Sequence, residues 1–355
     1  MLKSVEIARP GHPDKVCDQI ADALVDEFLR RDPKSTVDLQ VLGGHGMVMV
    51  AGTVDSKADF DAAKIVLQVY KEIGYKDEIE PFIHLERPSE DLSRVLVRGG
   101  TRGTTIAYGY ASRETREFLP RALVYARAIT RRLDDLREQD PQFNWLGPDG
   151  KVQVTMQGQK TVAVSLLAQH DVGVEPHHVQ SQLLDSVVTP IIGQQEGVKI
   201  FVNSGGPFTL GGFEMGVGSS GRKILSDTYG GLLPSTDFGL SGKDPSQPPR
   251  AGSYMARFIA KQLVREEVAG NVFVKIGYTI GQVDPVFVEA VTGKGQDLSD
   301  LVKGRFDLRI ESIVEFLKLR QPFYRRATQY GQFGHDGFPW EDPREEETVD
   351  ISTEI

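Results

Sequence analysis

The chain has 355 residues, 39% hydrophobic and 26% charged, an ordinary balance for a globular protein and enough length for two or three domains with their own cores. A net charge of -9 and a pI near 5.4 argue against a general nucleic-acid or membrane-surface binder, while local basic clusters can still hold a small anion. The single cysteine, Cys17, excludes an internal disulfide or a cysteine-rich zinc site. No apolar run approaches a membrane span and Met1–Lys15 lacks a signal-peptide stretch, so a cytoplasmic location is expected.

The first predicted helix is entered through Gly11-His12-Pro13-Asp14-Lys15. Pro13 suits a helix start because its missing N–H would be unpaired there anyway. Val16, Ile20, Leu24 and Phe28 recur at i, i+4 and are expected to be buried, with Asp18, Asp22, Asp26 and Arg30 facing water. Cys17 is expected to be a small packed side chain. His12 and Lys15 at the positive end of a helix suit a phosphate, and Asp14 suits a divalent cation neutralising it. An N-capped surface turn is the alternative.

Strands are predicted at Thr36–Val41 and Met47–Val54, joined through Gly43–Gly46, and then a helix at Phe60–Ile73 ended by Gly74. The order recurs: a helix at Glu114–Arg137, strands at Val152–Gln157 and Thr161–Gln169, a helix at Glu175–Ile191. A third round runs through Gly252–Ala269, Val272–Ile280, Pro285–Thr292 and Leu308–Leu319. Three helix–hairpin–helix rounds without sequence identity imply repeated α+β architecture, with helices over one face of each sheet. A symmetric partner chain would cover the other faces. Asp77–Arg98 is mixed, Arg98–Thr105 reads as flexible, Asn203–Asp244 is rich in loops, and Glu345–Ile355 is acidic and expected to fray.

Two further turns repeat the chemistry of the first. Gly216–Lys223 is not a Walker A loop, because its Lys comes one place late and Ile224 replaces the Ser/Thr, yet Arg222 and Lys223 can still cradle phosphate. Ser241–Ser246 again sets a Lys and an Asp in a Gly/Pro turn before a helix. Phe208 lies among glycines, a setting suited to stacking on a base, although a core role is commoner. Tyr330–Glu341 is dense in aromatics and glycines, as a packing plug would be. Three basic turns, each opening a helix, describe a polyphosphate pocket with Asp14 for its cation.

GHPDK, Gly218–Gly231, Leu240–Ser246 and Tyr330–Glu341, with Gly109–Ala111 and Glu114-Thr115, resemble S-adenosylmethionine synthetase (methionine adenosyltransferase), in the family's order and over nearly the whole chain. The resemblance implies three structurally similar α/β-sandwich-like domains with pseudo-threefold symmetry. Their expected spans are 1–98, 99–210 and 211–355, with strands and helices exchanged between them. It further implies homodimers or tetramers with shared active sites, Mg²⁺ as cofactor, and ATP and methionine as substrates. His12 would meet the bridging O5′ with Lys151 nearby. Lys15, Arg222, Lys223 and Lys243 would hold the triphosphate, Asp14 the Mg²⁺, and Phe208 would stack near adenine.

The departures from the family pattern are selective. Thr53 stands where a Glu helps hold methionine, and Gly103 where an Asp contacts substrate, within Gly100–Thr105. Gly216 replaces an Asp before the GRK loop. Gln247 replaces a second Lys, Pro249 a second Mg²⁺ ligand, and Gln40 the potassium-binding Glu, which makes K⁺ dependence doubtful. The mobile loop between Ile83 and Arg98 is shortened. Arg102 adds a cation and is expected in solvent.

The cations on the phosphate side persist; the acids that would pair with methionine's ammonium do not. The leading expectation is a divergent methionine adenosyltransferase. A second reading keeps ATP or another nucleoside triphosphate and uses a different nucleophile. A third is a non-catalytic nucleotide-binding partner subunit.

Overall fold

In the computed structural model, which describes residues 2–91 and 100–342, the three predicted rounds are present. A leading strand β1 (Leu2–Ala8) enters α1 (Pro13–Arg31), the hairpin β2 (Thr36–Gly44) and β3 (Met47–Asp55), α2 (Ala62–Ile73) and β4 (Glu80–Glu86). The second round is β5 (Thr105–Ser112), α3 (Arg121–Gln139), β6 (Leu146–Gln157), β7 (Lys160–His170), α4 (Pro176–Leu183) and β8 (Lys199–Val202). The third is β9 (Gly218–Ser219), α5 (Pro248–Arg265), β10 (Asn271–Tyr278), β11 (Phe287–Thr292) and α6 (Ser299–Arg305), followed by α7 (Ile310–Phe316) and α8 (Tyr324–Gln329).

The leading strands do not join the hairpins of their own rounds. β1 pairs antiparallel with β6, β5 with β10, and β9 with β2, so each round lends its first strand to another in a closed cycle. In the first two rounds the strand after the hairpin returns parallel to its second strand: β4 on β3, β8 on β7. The long helices follow the same cycle. α1 lies on β2 and β9, α3 on β6 and β1, and α5 on β10 and β5. This is an α+β fold of three related sheets, each with a long helix packed on it and all sharing one continuous core of buried strand and helix residues, and the exchange makes each sheet depend on chain from two rounds.

Local chemistry sets the elements. Val37, Leu39 and Val41 alternate inward on β2, and His45 and Gly46 both take positive φ (48° and 83°), the conformation a two-residue hairpin turn requires. Gly74 ends α2 in the left-handed region, as expected. Cys17 is buried and unpaired, and burial pushes its thiol well up, in keeping with a packing role.

Several expectations are corrected. α3 begins at Arg121 rather than Glu114, because Pro120 cannot extend a helix backwards and serves as its N-cap. The helix expected at Glu175–Ile191 passes through a wide turn at Leu184–Val188 before a final turn at Thr189–Ile192, where Pro190 has no N–H for an unbroken ladder. Strands β1 and β4 occupy stretches that had no assignment, and Thr105 begins β5 rather than closing a flexible loop. Residues 92–99, including Arg98, and Glu345–Ile355 lie outside the described residues.

The largest correction concerns α1. Asp18 and Asp22 are fully buried and Asp26 is half-buried. With Asp14 they form a carboxylate seam at i, i+4, each accepting backbone N–H groups from later parts of the chain laid along the helix. Asp14 takes Ser219, Asp18 takes Gly221, Asp22 takes Gly242, and Asp26 takes both Tyr324 and Arg325, at 2.7–2.9 Å. The sequence periodicity was right; what lies against that face comes from elsewhere in the chain.

Candidate active site

His12 caps α1 in an unusual way: its Nδ1 accepts the N–H of Asp14 at 3.2 Å. With Nδ1 an acceptor, the neutral ring carries its proton on Nε2. Burial, then the charge of Lys223, lowers its pKa to about 3 against the pull of Asp14, so at neutral pH His12 is an uncharged N–H donor.

Asp14 is the hub. Its Oδ1 accepts Ser219 N–H at 2.9 Å, Lys223 Nζ lies 2.7 Å from Oδ2, and Arg222 Nε lies 3.5 Å from Oδ1. Burial would raise the Asp14 pKa, but Lys223 and the Ser219 N–H more than offset it and hold it below the usual range. The loop approaches so closely that a Cβ on Gly218 would stand 2.1 Å from the Pro13 carbonyl oxygen, which restricts this position to glycine.

Lys15 lies deeper. Its ammonium is fully buried between Asp18 (3.1 Å) and both oxygens of Asp227 (2.7 Å each), and also donates to Thr328 at 3.1 Å. Burial alone would lower its pKa, but the two carboxylates raise it. Burial pushes Asp227 up to about 7 in spite of Lys15. Lys151 sits on β6 opposite Ala8, half-buried, with Nζ 3.1 Å from Glu6, and its charge reaches His12.

Lys243 belongs to the third turn. Gly242 N–H is held by Asp22, and Asp244 exchanges hydrogen bonds with the backbone of Val37 (2.9 and 2.7 Å), which fixes the loop beside β2. Lys243 is mostly buried, which lowers its pKa against the attraction of Asp38, and it lies over the Phe238 ring at 5.8 Å. His12, Asp14, Arg222 and Lys223 therefore form one contact group, with Lys151 and Lys15 at its edge. Lys243 is tied to the same helix through Asp22. Phe208 hydrogen-bonds through its backbone to His170 (2.9 and 3.2 Å), and none of its contacts among the described residues reaches the Asp14 group.

The altered positions have definite roles. Gln247 turns inward, its Nε2 donating to the Val37 carbonyl at 2.8 Å, and Pro249 is buried in the first turn of α5. Gln40 is exposed and accepts the Ser220 hydroxyl at 3.2 Å. Thr53 lies between Asp38 on β2 and Glu86 on β4 in the strand register. An added Cβ meets nothing within 4 Å at Gly103 or Gly216. Arg102 is not in solvent, contrary to expectation: its side chain is 4% exposed and Nη1 donates to Asp244 Oδ2 at 2.8 Å, because that buried carboxylate needs a cation.

Sequence reasoning missed Asp227, Asp18 and Asp22 as supports of the site; the four-residue spacing of the aspartates was their signal. Among the described residues no group of three or more His, Cys, Asp or Glu side chains is placed to hold a metal ion. Asp14 Oδ2 is nevertheless a buried carboxylate oxygen whose one close partner among the described residues is the Lys223 ammonium at 2.7 Å, a cation that an arriving phosphate can draw away. Such an oxygen fits a divalent ion that brings its remaining ligands from phosphate and water.

Three family profiles match the chain: the N-terminal, central and C-terminal domains of S-adenosylmethionine synthetase, over residues 1–87, 98–208 and 210–342. The chain is 36% identical to the S-adenosylmethionine synthase of Aquifex aeolicus, with 96% of each covered. It is 36% identical to that of Sorangium cellulosum (95% of this chain, 86% of the relative) and 33% to that of Petrotoga mobilis (96% of each). These names give no support to the different-nucleophile or non-catalytic readings.

Proposed function

The chain belongs to the S-adenosylmethionine synthetase family, an enzyme family of transferases, and from that premise we propose that it converts ATP, L-methionine and water into S-adenosylmethionine, pyrophosphate and phosphate. The observation that carries the proposal is the His12–Asp14–Lys223 arrangement, a neutral imidazole with its N–H on Nε2 beside two cations gathered on one carboxylate.

In the proposed reaction the methionine sulfur attacks C5′, the C5′–O5′ electron pair leaves with the triphosphate, and sulfur becomes a sulfonium. Negative charge grows on the departing oxygen, so donors fixed there favour the transition state over the ground state. His12 Nε2–H is that donor, with Lys151 adding positive potential. Arg222 and Lys223 take the phosphates directly. Lys15 and Lys243 contribute from more buried positions, and Phe208 stacks near the base. Water then splits the triphosphate. The family generally uses Mg²⁺; Asp14 would hold it, and the ion would neutralise phosphate charge. With Gln40 in place of an acid, no K⁺ requirement is proposed.

We read the chain as three domains over 1–98, 99–210 and 211–355, working as a cytoplasmic homodimer or tetramer without nucleic-acid or membrane partners. No helix among the described residues is long and apolar enough to cross a membrane. The outer face of β2–β4 exposes Leu42, Met47, Met49 and Phe82, each 44–47% accessible, as a surface for a second copy would.

The test is mass spectrometry of products from purified protein, ATP and Mg²⁺, with and without methionine. Methionine-dependent S-adenosylmethionine supports the proposal. ATP cleavage without it, or no turnover, overturns it.

A further inference from the structure

The sequence pattern groups Lys15 with the cations that would hold the triphosphate, yet its ammonium is already fully engaged. Four acceptor atoms surround Nζ: Asp18 Oδ2 at 3.1 Å, both carboxylate oxygens of Asp227 at 2.7 Å and Thr328 Oγ1 at 3.1 Å. An ammonium has three hydrogens to donate, and this side chain is 1% exposed. Drawing it out to a phosphate would leave two buried carboxylates without their cation, a costly state. Lys223 differs, because its ammonium is partly exposed and pairs with a single carboxylate.

Each partner of Lys15 holds one of the two later basic turns. Asp18 Oδ1 accepts the N–H of Gly221 at 2.7 Å, immediately before Arg222. One helical turn further on, the N–H of Asp227 donates to the Lys223 carbonyl at 2.8 Å. Arg222 and Lys223 are thus bracketed by two acids that share one cation. Thr328, on α8, meets the Ser241 hydroxyl at 3.1 Å, and Ser241 opens the turn that carries Lys243. A single buried ammonium links α1 to both turns.

We propose that Lys15 is a positioning residue that makes no contact with the triphosphate and instead sets the spacing of the Arg222–Lys223 loop and the Lys243 turn, through Asp18, Asp227 and Thr328. The inference rests on the phosphate-binding part of the function proposed above and specifies how Lys15 contributes to it. Arg222 and Lys223 reach a ligand on long side chains, so holding the backbone beneath them in advance lowers the ordering cost that binding meets. Clamping their supports from inside the fold does this without occupying the phosphate site.

Calorimetric titration of Mg²⁺-tripolyphosphate into the full chain tests this in wild type, Lys15→Met, Asp227→Asn and the double variant, with amide hydrogen exchange on the same proteins. Lys15→Met is expected to weaken binding at least about tenfold in the wild-type background but less than about threefold in the Asp227→Asn background, where one of its supports is already lost. Exchange at residues 219–224 and 241–244 is expected to quicken together in Lys15→Met. That variant strands two buried acids and can cost folding, so Thr328→Val, which keeps the ammonium between both acids, gives a second reading. Its expected result is faster exchange at 241–244 with 219–224 unchanged. A direct phosphate contact would cost the same in both backgrounds, and that result overturns the proposal. So does a lower Tm in Lys15→Met with affinity and exchange unchanged, the behaviour of a cation that only stabilises the fold. Unchanged exchange at 241–244 in Thr328→Val overturns the link to the Lys243 turn. Neither readout needs turnover, so failure of the proposed reaction is seen separately, as absence of S-adenosylmethionine.

Discussion

Lys223 and Asp14 form an ion pair at 2.7 Å between the GRK loop and the first turn of α1, and the partly exposed ammonium meets an almost wholly buried carboxylate. Before any triphosphate arrives, the cation is already positioned by an internal anion. Binding then becomes an exchange: phosphate takes Lys223, and Asp14 is left to a metal ion that travels with the phosphate. The cost of gathering cations in one place is met by the fold rather than by the ligand.

Asp14→Asn removes that organiser while keeping its size and its capacity to accept Ser219 N–H. Two cations then repel without a counter-charge, and one metal ligand is lost. A fall of at least about 100-fold in kcat/KM for ATP is expected, with half-saturating Mg²⁺ raised several-fold. Steady-state kinetics across a Mg²⁺ titration checks this; an unchanged Mg²⁺ dependence removes Asp14 from the metal site.

His12→Ala should separate binding from chemistry. The His12 donor matters most when O5′ carries charge, so kcat is expected to fall by roughly 100–1,000-fold while ATP affinity stays within about threefold. Single-turnover rates and equilibrium binding measure the two halves. Equal losses in both would make His12 a ground-state contact.

How much of this was legible in the sequence differs by range of interaction. The hairpins, their turns and the positions of His12, Asp14 and Lys223 follow from local pattern and motif spacing. The cyclic exchange of β1, β5 and β9 does not, because a strand's periodicity names its buried face and not its neighbour. The seam on α1 shows the same limit. Asp18, Asp22 and Asp26, at i, i+4, look like a solvated face until backbone from residues 221, 242 and 324 lies along it. Arg102 looked free because its partner, Asp244, is 142 residues away.

The seam gives a prediction of its own. Asp22 accepts Gly242 N–H and pairs with Arg250, and both side chains are 0% exposed. Asp22→Ala leaves a buried guanidinium without its anion, a loss of about 3–5 kcal/mol, and frees the turn carrying Lys243. A lower Tm together with faster proteolysis near residue 242 is expected. A lower Tm without local cleavage would mean that Asp22 does not hold the loop.

Restoring the missing acids should act unequally. An added Cβ at Gly103 meets nothing within 4 Å, so Gly103→Asp is sterically free. Thr53 lies beside Asp38 and Glu86 in register, so Thr53→Glu sets a third carboxylate on one face and meets like-charge repulsion. The methionine KM is expected to fall several-fold in Gly103→Asp and to change little or rise in Thr53→Glu. An unchanged KM in Gly103→Asp means that the pocket has been rebuilt around other groups.

Glu341 supplies the pH dependence. It pairs with Arg257 at 2.9 Å and Lys261 at 2.8 Å, in a plug whose Trp340 stacks on Tyr254 at 3.7 Å. Burial would raise its pKa, yet the two cations more than offset that and hold it at about 2, against 4.5 in an unfolded chain. A depressed carboxylate pKa stabilises the fold above the unfolded value and loses that stabilisation as pH falls through the folded one. The contribution is about 3 kcal/mol at neutral pH and drains away between roughly pH 5 and 2. Glu341→Gln cannot titrate and leaves Arg257 and Lys261 without their anion, so its Tm should lie several degrees below wild type at pH 7. The gap should narrow steadily as pH is lowered from 5 toward 3, because only the wild type loses the pair. Scanning calorimetry of both proteins over that range decides it, and a gap that stays constant with pH would show that Glu341 packs the plug without stabilising it by charge.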